Sequence, residues 1–158
     1  MGVFYLDSSA VVKLYISETG SVWVRSLVDT LGPDGRWANK LVLANICVVE
    51  VAAAIAKRKR MGAISPPEQS TLVANFLADC VERFVKLGVD DNVIKLATEL
   101  TQRHPLRSYD AIHLATALIL NHALIEKSAL SLTFVSSDKV LCQAASEEGL
   151  ITENPDER

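Results

Sequence analysis

Short apolar runs alternate along the whole chain with longer segments that carry helical periodicity. The strand-like runs are residues 3–6, 41–44, 81–87, 132–135 and 150–152. The helix-like segments between them are residues 8–15, 21–28, 46–61, 68–80, 90–102, 108–121 and 138–148. Strands separated by helices predict a parallel sheet with helices on both faces. We therefore expect an α/β fold with three α/β/α layers, a central, mostly parallel sheet of four to five strands, and a single domain over residues 1–158.

Composition and charge narrow the class of protein. Apolar residues make up 49% of the chain, enough to build a core, and no apolar run is long enough to cross a bilayer. No charged leader precedes a signal-type core, and the three cysteines are odd in number and far apart. We therefore predict a cytoplasmic protein without a disulfide framework or zinc knuckle. A net charge of -3 means that any contact with nucleic acid needs a local basic patch.

Four acidic residues stand in otherwise apolar segments or directly after them. Asp7 ends the first strand, Glu50 is the lone charge in an apolar stretch of the third helix, Asp110 precedes the apolar run 111–120, and Asp138 follows the strand 132–135. A carboxylate in such surroundings is costly to ionise unless something compensates its charge. None of the four has an obvious Lys or Arg partner nearby in sequence, which indicates a shared compensator.

The predicted architecture gives these acids a common location. In open parallel sheets, ligands bind beyond the carboxyl ends of the strands, at the point where the strand order reverses. All four acids can reach that edge, where crowding would raise their pKa values unless a cation were bound. Oxygen ligands without a Cys or His cluster favour Mg²⁺ or Mn²⁺ over zinc.

Four segments, in order, resemble one protein family. They are Tyr5-Leu6-Asp7-Ser8-Ser9-Ala10 with the residues up to 15, the Val49-Glu50-Val51 helix ending in Lys57-Arg58-Lys59-Arg60, Ser108-Tyr109-Asp110-Ala111-Ile112-His113-Leu114-Ala115-Thr116-Ala117, and Phe134-Val135-Ser136-Ser137-Asp138-Lys139-Val140-Leu141. Together they resemble the PIN domain, and most closely its VapC-type toxin ribonucleases of type II toxin–antitoxin systems. Residues 37–43 carry no strong family signature, so the assignment of Glu50 depends on its helix.

The resemblance implies a metal-dependent ribonuclease with Asp7, Glu50, Asp110 and Asp138 as its acidic quartet. It also implies Mg²⁺ or Mn²⁺ as cofactor, inhibition by a small cognate antitoxin, and a homodimer. We expect in-line attack on an RNA phosphodiester by a metal-bound water. Asp7 and Asp110 would hold the ion most directly, while Glu50 and Asp138 would orient waters or recruit a second ion.

Substrate contacts are predicted at two places. Ser8 and Ser136 are candidates to orient water or the scissile phosphate. The basic run that contains Lys57, Arg58 and Arg60 is either a solvated helix end or a contact for backbone phosphates.

Each acid also has a purely structural interpretation. Asp7 could cap the first helix, Glu50 could pair with an arginine across the core, Asp110 could serve its helix dipole, and Asp138 could be a turn residue. His113 is interpreted as a buried, hydrogen-bonded side chain near the site rather than a ligand.

Other classes of protein fit less well. A haloacid-dehalogenase-type phosphotransferase needs a second acid two positions after Asp7, where this chain has Ser9. A receiver domain needs an acidic pair and a late-strand lysine, and the only nearby lysine, Lys139, follows Asp138. The remaining alternative is a catalytically inactive PIN-like module that binds RNA or a protein.

Overall fold

Five parallel strands form the centre of the molecule. A computed structural model describes residues 2–127 and 131–158. The strands are β1 (Val3–Leu6), β2 (Lys40–Ala44), β3 (Phe84–Leu87), β4 (Leu132–Val135) and β5 (Ile151–Glu153). Their order in the sheet is β3-β2-β1-β4-β5, and every neighbouring pair is parallel. The chain therefore adds β2 and β3 on one side of β1 and then returns to place β4 on the other.

In the described parts of the chain, seven α-helices connect or follow the strands. They are α1 (Ser8–Val12), α2 (Ser21–Asp29), α3 (Ile46–Arg60), α4 (Pro66–Glu82), α5 (Asp91–Arg103), α6 (Ser108–Glu126) and α7 (Lys139–Glu147), and a 3₁₀ turn (Pro155–Glu157) follows β5. Polar residues cap the N-termini of several of these helices. Ser65 and Glu68 form a reciprocal capping box at α4, and Asp90 caps α5 through the Val93 N–H.

Alternating strand side chains divide the core between the two faces of the sheet. Tyr5 and Phe134 point to one face, where buried residues of α5, α6 and α7 pack against them. Leu6 and Val135 point to the other, which is covered by α1, α2, α3 and α4. The predicted three-layer α/β/α fold is confirmed.

The predicted element boundaries need three notable corrections. The strand predicted over residues 81–87 begins only at Phe84, because α4 continues to Glu82. The helix predicted over residues 8–15 ends at Val12, with Lys13 as its C-cap. The helix predicted over residues 108–121 continues to Glu126. Within the described ranges, no helix combines the length and apolar character needed to span a membrane.

Candidate active site

Asp7 lies at the centre of the carboxyl edge of the sheet, directly after β1. Its side chain is only 4% exposed, and Oδ1 accepts hydrogen bonds from the Ser9 hydroxyl at 2.6 Å and the Ala10 N–H at 2.9 Å. Burial raises the pKa of the Asp7 carboxyl. Nearby His113 and the groups that donate hydrogen bonds to Asp7 oppose this effect, but the net shift is upward. The capping role anticipated as an alternative is therefore real, because the Ala10 N–H belongs to α1. The same bonds hold the carboxylate in one orientation at the strand end.

Two serines tie Asp7 to the turn after β4. The fully buried Ser136 donates its hydroxyl to Asp7 Oδ2 at 2.6 Å and accepts the Asp138 N–H at 3.0 Å. Ser9 Oγ accepts the Ser137 N–H at 2.9 Å. The turns after β1 and β4 are thus locked together where the strand order reverses. Since the Ser136 hydroxyl already serves Asp7, its most direct role is to orient that carboxylate.

Asp110 and Asp138 complete a group of three carboxylates. Burial raises the pKa of Asp110, and the negative charges of Asp138 and Asp7 raise it further. Asp110 stands in the first turn of α6, where the helix dipole favours an anion. Asp138 caps α7, and its Oδ1 accepts the N–H groups of Val140 and Leu141. The structure therefore brings Asp7, Asp110 and Asp138 close enough for their charges to interact.

Glu50 reaches the same edge from α3, which covers the opposite face of the sheet from α6 and α7. Its partner is His113 rather than the arginine considered from sequence. His113 Nε2 lies 2.6 Å from Glu50 Oε2, and Nδ1 lies 2.9 Å from the Tyr5 hydroxyl. His113 is 1% exposed, and the Glu50 side chain is 22% exposed. The interpretation of His113 as a buried, hydrogen-bonded residue agrees with this arrangement.

The other residues predicted to contact substrate, Ser8 and the basic run of α3, lie at two different places. Ser8 is partly exposed at the start of α1, beside Asp7. The basic run lies at the far end of α3, so that Lys57 and Arg60 stand about 10–15 Å along the helix axis beyond Glu50. Arg58 donates to Glu18 Oε2 at 3.0 Å, which occupies its guanidinium in an ion pair. These basic side chains are therefore separate from the carboxylate group.

The donor set at this edge fits a hard cation that keeps much of its water. Across residues 2–127 and 131–158, no three Asp, Glu, His or Cys side chains converge closely enough to make a complete ligand cage. Mg²⁺ does not need one, because it is commonly held by one or two carboxylates and several waters. Asp7 and Asp110 offer such carboxylates, and the pKa of Asp110 is raised by burial and then by the charges of Asp138 and Asp7. All three cysteines are free thiols, so thiolate ligation is not prearranged.

Comparison with known proteins identifies the family. The model of the PIN domain matches residues 4–146. The chain belongs to the PIN-domain family. Ribonuclease VapC47 of Mycobacterium tuberculosis is 30% identical over 153 residues, covering 97% of both chains. Ribonuclease VapC45 of the same species is 32% identical over 125 residues, covering 75% of this chain and 76% of the relative. The VapC resemblance inferred from the sequence is thereby confirmed.

Solved structures confirm the PIN fold independently. The toxin-antitoxin complex from Klebsiella pneumoniae contains a chain that superposes with a TM-score of 0.60 at 15% identity, covering 98% of both chains. At this identity the likeness bears on the fold alone.

Two features of this PIN domain were not predicted from sequence. Ser9 was given no role at the site, yet it bonds both Asp7 and the turn after β4. The contact between Glu50 and His113 joins residues 63 positions apart in different layers. No local sequence pattern carries such a contact. Only the placement of His113 one turn after Asp110 indicated that it lies near the site.

Proposed function

We propose that this protein is a Mg²⁺- or Mn²⁺-dependent endoribonuclease and the toxin of a VapBC-type toxin–antitoxin pair. The observation that carries the proposal is the group of Asp7, Asp110 and Asp138 at the carboxyl edge of the sheet, where burial and then the charges of its neighbours raise the pKa of Asp110. Relatives named as VapC ribonucleases, one of them matched over 97% of the chain, support RNA as the substrate.

The residues of the chain have distinct parts in this reaction. Asp7 and Asp110 would hold the ion, which supplies positive charge for the phosphate and lowers the pKa of bound water. Asp7 suits this role because three hydrogen bonds fix both of its oxygens. Asp138 and Glu50 add acceptors that orient water for in-line attack on phosphorus.

Partner binding is part of the same proposal. The structural neighbour from Klebsiella pneumoniae is itself a toxin-antitoxin complex, which supports a small antitoxin as partner. We further propose a homodimer, as the family resemblance implies.

RNA cleavage by purified variants tests the enzymatic proposal. Asp7→Asn and Asp110→Asn should each lower the cleavage rate in Mg²⁺ by at least about 100-fold, and EDTA should abolish cleavage by the wild type. Asp90→Asn is the matched control, because Asp90 also caps a helix with its carboxylate. It follows β3, two strands from β1, about 10 Å away across the sheet. Unchanged cleavage by both site variants would contradict the proposal and favour a module that only binds RNA or protein.

A further inference from the structure

His113 connects the two helical layers through side chains at the carboxyl edge of the sheet. It projects from α6, contacts Tyr5 of β1 through Nδ1 at 2.9 Å, and contacts Glu50 of α3 through Nε2 at 2.6 Å. The imidazole also packs edge-on against the Tyr5 ring, with centroids 6.0 Å apart. Because His113 is only 1% exposed, water does not compete for these contacts. The ring is thus held from both ends.

The contact with Glu50 determines where the imidazole carries a proton. An ionised Glu50 carboxylate can only accept hydrogen bonds, so Nε2 must be the protonated nitrogen that donates to Oε2. The Tyr5 hydroxyl, 2.9 Å from Nδ1, can donate to that nitrogen or accept from it. Nε2 therefore carries a hydrogen whichever role the Tyr5 hydroxyl takes. The contacts at both ring nitrogens fix the orientation of the imidazole toward Glu50.

We infer that His113 is a positioning residue that holds Glu50 through Oε2 and presents Oε1 to the metal and its waters. The inference rests on the proposed function. A free glutamate side chain loses rotamer entropy when it is ordered. The His113 bond orders it before the ion arrives. The His113 contact is to Oε2, so it leaves the other carboxylate oxygen, Oε1, outside this hydrogen bond. Outer contacts of this kind typically change metal affinity or activity by 10–100-fold when they are removed.

Two near-isosteric variants separate positioning from packing. In His113→Gln the amide nitrogen reaches roughly the place of Nε2 and can still donate to Glu50. In His113→Asn the amide reaches only the place of Nδ1, so the side facing Glu50 has no donor. We expect the dissociation constant for Mn²⁺, measured by calorimetry, to rise about 10-fold or more in His113→Asn. His113→Gln should recover most of this loss. Equal losses in both variants would overturn the inference, because a packing role would not distinguish them.

A double variant tests whether the effect passes through Glu50. In a Glu50→Gln background, His113→Asn should weaken Mn²⁺ binding by less than about threefold, because the carboxylate it positions is absent. A full additional loss would contradict the inference.

The tautomer can be measured without any substitution. Nitrogen-15 NMR of the metal-free wild type should show a protonated Nε2 on His113, and an unprotonated Nε2 would overturn the inference even if His113→Asn fails to fold. Wild-type protein that neither cleaves RNA nor binds Mn²⁺ would overturn the proposed function together with the positioning role. Active wild type with normal Mn²⁺ binding in a folded His113→Asn variant would overturn the positioning role alone.

Discussion

Two adjacent serines after β4 should respond oppositely to the same substitution. The Ser136 hydroxyl donates to the buried carboxylate of Asp7 and accepts the Asp138 N–H. The Ser137 hydroxyl is buried and has no hydrogen-bond partner among the described residues. Replacing Ser136 by Ala therefore breaks a buried hydrogen bond to Asp7 and a partly buried one from Asp138, whereas replacing Ser137 by Ala removes an unsatisfied polar group.

The expected magnitudes follow from these contacts. A hydrogen bond to an ionised group contributes about 1.5–3 kcal/mol, and a neutral one about 1 kcal/mol. Ser136→Ala should therefore lower the free energy of unfolding by about 2–4 kcal/mol, or lower Tm by about 5–15 °C for a chain of this size. Ser137→Ala should leave stability unchanged or raise it by up to about 1 kcal/mol.

Urea unfolding of the metal-free proteins, with both variants at one pH, measures the difference. An unchanged m-value would show that only stability has changed. Equal midpoints for the two variants, or a less stable Ser137→Ala, would refute the assignment of the two hydroxyls.

Two further predictions concern charge. The folded-state pKa of Asp110 is raised, so its ionised form destabilises the metal-free fold above that pKa, and the penalty disappears as pH falls to about 4. The metal-free Asp110→Asn variant should therefore have a higher Tm than the wild type at pH 7, and the two Tm values should approach each other at about pH 4. A lower Tm for the variant at pH 7 would contradict this. Lys57 and Arg60 are exposed, and we expect their replacement by Ala to weaken the salt dependence of RNA binding, measured in EDTA. The slope of the logarithm of the binding constant against the logarithm of the salt concentration should fall by about one for each phosphate that the protein no longer neutralises. Lys95→Ala combined with Arg25→Ala, exposed basic residues on other helices, is the control, and an equal reduction there would refute a specific role of the α3 residues in binding RNA.

Local patterns made most of the fold predictable. The strand β4 was predicted with the bounds that the structure gives, because Leu132–Val135 is a short apolar run between polar residues. The end of α6 was predicted too early because Asn121 and His122 suggested a stop. In the structure Asn121 continues the helix, and its side chain accepts the Leu132 N–H at the start of β4. A polar residue that anchors a neighbouring strand cannot be distinguished from a helix end by local pattern.

The site was only partly predictable, for a related reason. The positions of Asp7 and Asp138 followed from strand ends, which parallel topology brings to one edge. The partner of Glu50 depended on how α3 and α6 pack over that edge, and no spacing in the sequence encodes this. Likewise, the bond from Ser9 to the turn after β4 exists only because β1 and β4 are neighbours in the sheet.

Anomalous diffraction from crystals grown with Mn²⁺ tests the central claim most directly, namely that the carboxyl edge binds a hard cation. We predict an anomalous peak within about 2.5 Å of a carboxylate oxygen of Asp7 and one of Asp110, and its loss in Asp110→Asn crystals. Saturating Mn²⁺ that gives no peak between these two residues would contradict the account.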